Sequence, residues 1–325
     1  MACSRKAFEY SGMNADPWPK LPFAEWRDTA LALQLRLQVI GKVRLSLTPW
    51  LNHSWQVPFY VTARGLGTSL IPTSQGAIDL EFDFIAHRLA GRSSAGQAAE
   101  LPLEPMSVAD FYERARALLR RLGVETTIDP RPSELPEPVA FGKDRQLRPY
   151  DADAVDRYWR VLVQADRLFK LFRTGFLGKA SPVHLFWGGF DLAVTRFSGR
   201  AAPLHPGGVP GLSDRVTREA YSHEVSSAGF WPGSDSFPQA AFYSYAYPQP
   251  AGFANAPVPT GAAYDQALGE FILPYDVVRA VRDPDALVMD FLQKTYAAAA
   301  SLGGWDRAGL ECALGVPNRP RPVRD

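Results

Sequence analysis

Two segments of this chain, residues 48–65 and 181–200, carry the same residue types in the same order. The matched positions are Pro49 and Pro182, His53 and His184, Trp55 and Trp187, Val61-Thr62 and Val194-Thr195, and Arg64 and Arg196. Each segment also follows a helical pattern that has Trp-Arg near its start and ends at Gly-Lys, namely Gly41-Lys42 and Gly178-Lys179. A repeat of this length predicts two homologous halves and excludes a stack of small repeats.

The residue pattern within each half predicts the fold class. In the first half, a helix over 26–39 precedes strands that begin at Val43, and a helix capped by Ser107 and ended by Gly123 follows. The second half has the same layout, and its predicted elements are a helix from Asp151, strands at 184–197, 217–228, 241–247 and 269–273, and a helix from Asp283 to Gly303. We therefore predict an α+β fold of two homologous halves, each an antiparallel sheet flanked by helices, related by a pseudo-twofold axis.

The boundaries of these halves follow from composition. Residues 129–150 contain five prolines and few periodic apolar positions, which is typical of a linker or surface crossover. The predicted divisions are a flexible N-terminus at 1–16, a first repeat at 17–128, the crossover at 129–150, a second repeat at 151–306 and a flexible tail at 307–325.

The balance of charge limits the classes of partner. The chain of 325 residues has 35 basic and 34 acidic side chains, so nothing indicates a nucleic-acid-binding or anionic-membrane surface. The two cysteines, Cys3 and Cys312, are far apart in the sequence and fit a reducing compartment. With no signal-peptide pattern and no long apolar run, we expect a soluble cytoplasmic protein.

Three longer motifs resemble a family of bacterial proteins known only as a domain of unknown function. They are "GKVRLSLTPWLNHSWQVPFYVTARG", "SPVHLFWGGFDLAVTRFSGR" and "YSHEVSSAGFWPG". The resemblance covers about residues 17–305 and implies no particular activity, cofactor or catalytic residue.

Histidines are the first candidates for chemistry. His53, His184 and His223, with a carboxylate from Glu224 or Asp191, predict a site for a divalent transition metal if they converge from different strands. The chain has no HxH pair and no metalloprotease signature, so a structural, hydrogen-bonded histidine is the alternative at each position. Without a metal, His184, His223 and Glu224 are candidates for general acid–base catalysis.

Other side chains in the second half are candidates for binding a substrate. Arg196 and Arg200 can bind an anionic group through their guanidinium groups, or they can form structural ion pairs. The remaining candidates are polar or aromatic residues that could line a pocket: Asp191, Trp187, Tyr243 and Tyr245. For the tyrosines, packing under a loop is the alternative.

Taken together, these residues favour an enzyme that acts on a polar or anionic small molecule in a cleft of the second repeat, with or without a metal. A non-catalytic small-molecule-binding protein is a second hypothesis. A structural or assembly protein is the third.

Overall fold

The computed structural model describes residues 16–209 and 211–321 and has an α+β architecture. Within those residues, seven helices surround two antiparallel sheets of six strands each. The helices are α1 (Phe23–Leu47), α2 (Val108–Arg121), α3 (Ala152–Thr174), α4 (Asp214–Ala220), α5 (Tyr275–Ala280), α6 (Pro284–Leu302) and α7 (Arg307–Leu310).

The first sheet lies within the first predicted half. Its strands are β1 (Tyr60–Val61), β2 (Gly65–Gly67), β3 (Ile71–Thr73), β4 (Gly76–Asp83), β5 (Arg88–Ser93) and β6 (Ala98–Pro102). They pair in the order β1-β2-β4-β5-β6, and β3 also pairs with β4. Strand β4 shows why a sheet forms here, because Ile78, Leu80 and Phe82 alternate with polar residues and are buried in the core.

The second sheet lies within the second predicted half. Its strands are β7 (His184–Phe186), β8 (Asp191–Ala201), β9 (His223–Trp231), β10 (Ala241–Tyr247), β11 (Ala263–Asp265) and β12 (Glu270–Pro274). They pair in the order β11-β12-β10-β9-β8-β7. One face buries Phe230 and Phe242 in the main core, and helix α6 contacts β9 and β10. The opposite face carries Tyr243 and Tyr245, and we call it the tyrosine face.

The two sheets meet at their edge strands. Phe59 donates its backbone N–H to the Leu185 carbonyl at 2.9 Å, and Leu185 donates to the Phe59 carbonyl at 2.8 Å. This reciprocal pair joins the start of β1 to β7. The two-sheet layout fits the two halves that the sequence predicts.

Three predicted helix starts have the expected caps. The side chains of Ser107, Asp151 and Asp283 accept hydrogen bonds from the backbone N–H groups of Asp110, Ala154 and Ala286, respectively. Gly123 follows the end of α2 with φ of +75°, a conformation that glycine adopts without steric cost.

The first residues of two predicted strands are helical instead. Helix α1 continues to Leu47, although the alternation of residues after Val43 predicts a strand. The helical pattern of apolar residues is not visible in the sequence there because one of the buried positions is a charged residue, Arg44. The Arg44 guanidinium donates a hydrogen bond to the Pro58 carbonyl. Residues 217–220, predicted as the start of a strand, belong to α4, and only from His223 does the chain enter the sheet.

The terminal segments differ in what the structure describes. The predicted flexible tail contains α7, and Gly315 donates its N–H to the Thr174 hydroxyl at 2.8 Å, so this part contacts the end of α3. Nearly all of the predicted flexible N-terminus, residues 1–15, and the last four residues, 322–325, lie outside the described part of the chain. No helix within residues 16–209 and 211–321 is long and apolar enough to span a membrane.

Replacing Gly41 by alanine tests the contact between the two halves. A Cβ atom at Gly41 would lie 2.2 Å from the Trp187 indole nitrogen, which is closer than van der Waals contact allows. We expect Gly41→Ala to lower the free energy of unfolding by about 1–3 kcal/mol in urea denaturation. This result is opposite to the gain of roughly 1 kcal/mol that alanine gives over glycine in an unobstructed helix.

Gly142→Ala is the matched control, because a Cβ there would come no closer than 3.8 Å to a neighbouring side chain. A Gly41→Ala variant that is as stable as the wild type or more stable would contradict the packing described here.

Candidate functional site

The centre of the candidate site is a hydrogen bond that crosses a strand. The Tyr243 hydroxyl on β10 donates to a carboxylate oxygen of Asp191 on β8, with β9 between them. The tyrosine ring reaches this far because it lies over Gly229, where a Cβ would be 2.3 Å from the Tyr243 hydroxyl. A glycine on β9 is therefore what allows the two side chains to meet.

A second carboxylate comes from the crossover segment. The side chain of Glu134 lies against the turn between β7 and β8, where a Cβ at Gly188 would be 1.9 Å from Glu134 Oε1. A Cβ at Gly189 would lie 2.7 Å from Asp191 Oδ1 and 3.6 Å from Glu134 Oε2. Both carboxylates therefore face the same small space, which the glycine pair leaves open.

The backbone beside this space is strained. Glu134 and Phe190 are non-glycine residues with φ of 57° and 60°, in the left-handed region. The Glu134 N–H donates to the Gly211 carbonyl at 3.1 Å, which holds the crossover segment in place. Such strain persists where surrounding contacts impose it, and it is concentrated at functional sites.

A third carboxylate belongs to Glu270, the first residue of β12. The antiparallel register that pairs Ser244 with Phe271 places Glu270 opposite Tyr245 of β10. Burial and the charges of Asp191 and Asp265 together raise the pKa of Glu270 to about 7. Burial and the neighbouring Asp191 also raise the pKa of Glu134 to about 7. Burial raises the pKa of Asp191 to about 6, although the hydrogen bond from Tyr243 opposes this change.

Tyrosines complete the surroundings. The ring of Tyr245 stacks with that of Tyr243 at a centroid distance of 6.2 Å, and its hydroxyl is 3.0 Å from the Tyr221 hydroxyl. Burial raises the pKa of each of these three phenols above its ordinary value, so they stay neutral donors and acceptors. The Tyr158 hydroxyl is also buried and has no hydrogen-bond partner among the described residues, and burial and the charge of Asp191 raise its pKa.

We call this group the acid–tyrosine site; it comprises Glu134, Asp191, Glu270, Tyr158, Tyr221, Tyr243 and Tyr245. None of its carboxylates forms an ion pair with the arginines and lysines of the described residues. Carboxyl groups with pKa values near 6 and 7 exist in both protonation states at neutral pH. The arrangement is therefore suited to giving and taking protons.

Three of the predicted binding residues belong to this site. Asp191, Tyr243 and Tyr245 are brought together on the tyrosine face. Trp187 precedes the glycine pair but packs away from it, because its indole N–H donates to the Val57 carbonyl at 3.1 Å.

His184 is buried at the junction of the sheets rather than beside Glu224. Its Nδ1 donates to the Ala193 carbonyl at 3.1 Å, since a carbonyl oxygen can only accept. Burial and the nearby charges of Arg173 and Arg44 together lower the pKa of His184 to about 4, although the hydrogen bond to the Ala193 carbonyl opposes this change. At neutral pH this imidazole is uncharged and lies in a positively charged environment.

The other two predicted metal ligands, His53 and His223, lie near each other. The rings of His53 and His223 are 6.1 Å apart between centroids. Both ring nitrogens of His53 already have partners, namely the Ala220 carbonyl and the Lys179 amine. Within residues 16–209 and 211–321, no three His, Cys, Asp or Glu side chains are grouped so that they could hold a metal ion.

The predicted anion-binding arginines have partners within the protein. Arg200 bonds Glu224 at 2.7 Å and the carbonyl of Gly304 at 3.0 Å. Arg196 points to the side of β8 opposite the tyrosine face and is 1% exposed. Its guanidinium carbon lies 3.4 Å from the centre of the Phe172 ring. Neither guanidinium contacts the acid–tyrosine site.

Sequence reasoning did not identify Glu134, Glu270, Tyr158 or Tyr221. A signal for Glu134 was absent, because it lies alone in a proline-rich segment far from Asp191 in sequence. The consecutive glycines at 188 and 189, directly before Phe190 and Asp191, were the one local indication that another group packs there.

A surface recess of about 370 Å³ lies elsewhere, at the end of α2, and its lining residues are Arg116, Leu119, Arg120, Val124, Glu125, Thr126 and Thr127. None of these residues belongs to the acid–tyrosine site. We assign greater functional weight to the acid–tyrosine site, because it brings together three carboxyl groups whose pKa values are raised by burial to about 6 or about 7.

The chain belongs to a family of unknown function, DUF5996, whose model matches residues 18–312. Comparison with curated proteins and with solved structures found no significant match. The family assignment confirms the resemblance seen in the sequence and carries no activity with it.

Removing the Tyr243 hydroxyl tests the central hydrogen bond. Because that hydroxyl stabilises the Asp191 carboxylate, we expect Tyr243→Phe to raise the pKa of Asp191 above its present value of about 6. The pKa is measured by NMR titration of ¹³C-labelled aspartate carboxyl groups. Tyr264→Phe is the control, since the Tyr264 hydroxyl donates to Gln249 instead. An Asp191 that titrates at the same pH or lower in Tyr243→Phe would contradict the assignment.

The raised pKa of Glu134 predicts a pH-dependent stability. The folded protein holds a proton up to about pH 7, whereas the unfolded chain releases it near 4.5, so Glu134 contributes less to stability as the pH rises through this window. We expect the free energy of unfolding of the wild type, minus that of Glu134→Gln, to fall between about pH 4.5 and about pH 7 and to level off above it. The expected change is about 1.4 kcal/mol per unit of pKa shift.

This difference is measured by urea denaturation at several pH values, and the titration of groups that do not interact with Glu134 cancels because both proteins share them. Glu137→Gln is the matched control, because Glu137 lies in the same segment and is exposed. A wild-type minus Glu134→Gln difference that does not change with pH would show that Glu134 does not hold this proton.

Proposed function

We propose that this protein is an enzyme that transfers protons to and from an uncharged polar small molecule at the acid–tyrosine site. One observation carries the proposal: Glu134 and Asp191 face the same space beside Gly189, with pKa values of about 7 and about 6. Two carboxyl groups with separated pKa values near neutrality are the usual arrangement for a general acid and a general base.

The environment of each group assigns its task. Asp191 accepts the Tyr243 hydrogen bond, which stabilises its charged form, so it is the carboxylate that accepts a proton from the substrate. Glu134 is the group that donates a proton, because burial and the charge of Asp191 favour its protonated form. Glu270, whose pKa is also about 7, adds a second donor from across the tyrosine face.

Charge favours an uncharged substrate. Three carboxyl groups without a basic partner would repel a phosphate or a carboxylate. Arg196 and Arg200, the predicted anion-binding residues, contact Phe172 and Glu224 instead. The sequence predicts a polar or an anionic small molecule as substrate, and this proposal favours the polar, uncharged one. It assigns proton transfer to carboxyl groups, and a divalent metal at the histidines stays a separate prediction.

A binding protein is the second candidate function. The stacked rings of Tyr243 and Tyr245, with interplanar angle 16°, present an aromatic surface of the kind that binds a sugar ring. Such a protein would bind the same class of ligand without converting it.

We further propose that the two halves arose by internal duplication and that the protein acts in the cytoplasm. Support for duplication comes from the layout of each half, in which a long helix precedes an edge strand and a strand meander. The balanced charge and the cysteine usage support the proposed location.

The experiment is a thermal-shift panel of neutral sugars and polyols, small carboxylates and small amines, followed by NMR of each stabilising compound for conversion. We expect a neutral hydroxylated compound to raise the melting temperature and to be converted. Glu134→Gln should retain that shift and reduce the rate of conversion by at least about a hundredfold, which is the usual contribution of a general acid.

Glu224→Gln is the matched control, because Glu224 pairs with Arg200 away from the site, and conversion should continue in this variant. A ligand that binds and is not converted would favour the binding protein. Conversion that is unaffected in Glu134→Gln would overturn the proposed mechanism.

A further inference from the structure

Tyr158 of the acid–tyrosine site and its neighbour Trp26 each bury a polar atom that has no hydrogen-bond partner in the described part of the chain. These atoms are the Tyr158 hydroxyl and the Trp26 indole nitrogen, and the two residues are 0% and 2% exposed. A buried donor without a partner costs stability, so such groups are rare in native proteins. Two of them on adjacent rings indicate a place where a bound molecule supplies the acceptor.

The rings of these two residues pack together at the start of β8. The ring centroids of Trp26 and Tyr158 are 5.0 Å apart. The Phe190 ring lies 5.0 Å from that of Tyr158 and 6.4 Å from that of Trp26. Phe190 directly precedes Asp191, which is the first residue of β8. The two unpartnered donors are therefore next to the turn that carries the Asp191 carboxylate.

Helix α1 brings Trp26 to this turn. Trp26 lies about two helical turns before Gln34, on the same side of α1. Gln34 donates to the Gly188 carbonyl at 2.6 Å. The side of α1 that holds the turn between β7 and β8 thus also presents Trp26 to Tyr158.

The chemistry of the two donors selects the ligand atom. An indole nitrogen can only donate a hydrogen bond. Burial and the charge of Asp191 raise the pKa of Tyr158, so its hydroxyl keeps its proton. A ligand atom that pairs with both donors needs two lone pairs, which a hydroxyl or carbonyl oxygen has. Of these, only a hydroxyl also has a proton that it can donate to the Asp191 carboxylate.

We propose that Trp26 and Tyr158 form a subsite of the acid–tyrosine site that binds a hydroxyl oxygen of a neutral polyol or sugar. The oxygen accepts hydrogen bonds from the Trp26 indole and the Tyr158 hydroxyl, and its own proton is directed at Asp191. The assignment rests on the proposed function, in which Asp191 accepts a proton from the substrate. It makes Trp26 of α1 and Tyr158 of α3 substrate-binding residues, one from each half of the chain.

The first test measures stability without a ligand. Tyr158→Phe removes a hydroxyl that has no partner in the described chain, so we expect a melting temperature equal to or above that of the wild type. Tyr275→Phe is the matched control, because the Tyr275 hydroxyl is also buried but donates to the Pro19 carbonyl at 2.7 Å. Its removal should lower the melting temperature. A Tyr158→Phe protein that melts as low as Tyr275→Phe would show that the Tyr158 hydroxyl has a structural role and would rule out the subsite.

The second test measures the binding of glycerol by ¹H–¹⁵N NMR of the tryptophan indole groups. We expect the Trp26 resonance to move to higher proton frequency and to saturate as glycerol is added, because its N–H gains an acceptor. Trp187 is the internal reference, since its indole already donates to the Val57 carbonyl. A Trp26 shift that does not saturate, or that is no larger than the shift of Trp187, would contradict the proposal.

The same titration is repeated with the two variants. Tyr158→Phe should weaken glycerol binding about fivefold, which is the usual contribution of one neutral hydrogen bond. Tyr275→Phe should bind glycerol as the wild type does. Equal glycerol binding by the wild type and Tyr158→Phe would exclude Tyr158 from the subsite.

The subsite and the proposed function can fail separately. Saturable glycerol binding that Tyr158→Phe weakens supports the subsite even if no compound of the thermal-shift panel is converted, and only the proposed function then fails. Conversion with the same KM and kcat in Tyr158→Phe as in the wild type would retain the enzyme and overturn the subsite.

Discussion

The reciprocal hydrogen bonds between Phe59 and Leu185 are the contact on which the arrangement of the two halves depends. Strands β1 and β7 have two and three residues, too few to form a stable sheet edge alone. Their pairing satisfies these edges. It also places the turn that follows β7 against helix α1, where Gly41 contacts Trp187.

That turn links the architecture to the candidate chemistry. Gln34 of α1 donates to the Gly188 carbonyl at 2.6 Å, and Gln38 exchanges hydrogen bonds with Ser133. One helix therefore holds both the glycine turn and the segment that carries Glu134. Residues from the first half thus position a carboxylate at the candidate site in the second half. The site requires both halves to be folded together, so it is not a property of the second repeat alone.

The energetics of the site point to function rather than to stability. Raised carboxyl pKa values mean that the charged forms are disfavoured in the folded protein, so these groups cost stability at neutral pH. The left-handed conformations of Glu134 and Phe190 cost about 1–3 kcal/mol each. A purely structural core would be more stable with apolar residues at these positions.

Local signals in the sequence determined much of the secondary structure and part of the site. Cap residues set the starts of α2, α3 and α6, because a side chain at that position satisfies a backbone N–H a few residues away. The alternation in "AFYSYAYP" placed Tyr243 and Tyr245 on one face of a strand. Only the tertiary structure decided that α1 continues to Leu47, since buried Arg44 is stabilised by the distant Pro58 carbonyl. It also decided that Glu134 meets Asp191, because a contact between residues far apart in sequence depends on how the sheets pair and leaves no periodic signal in either segment.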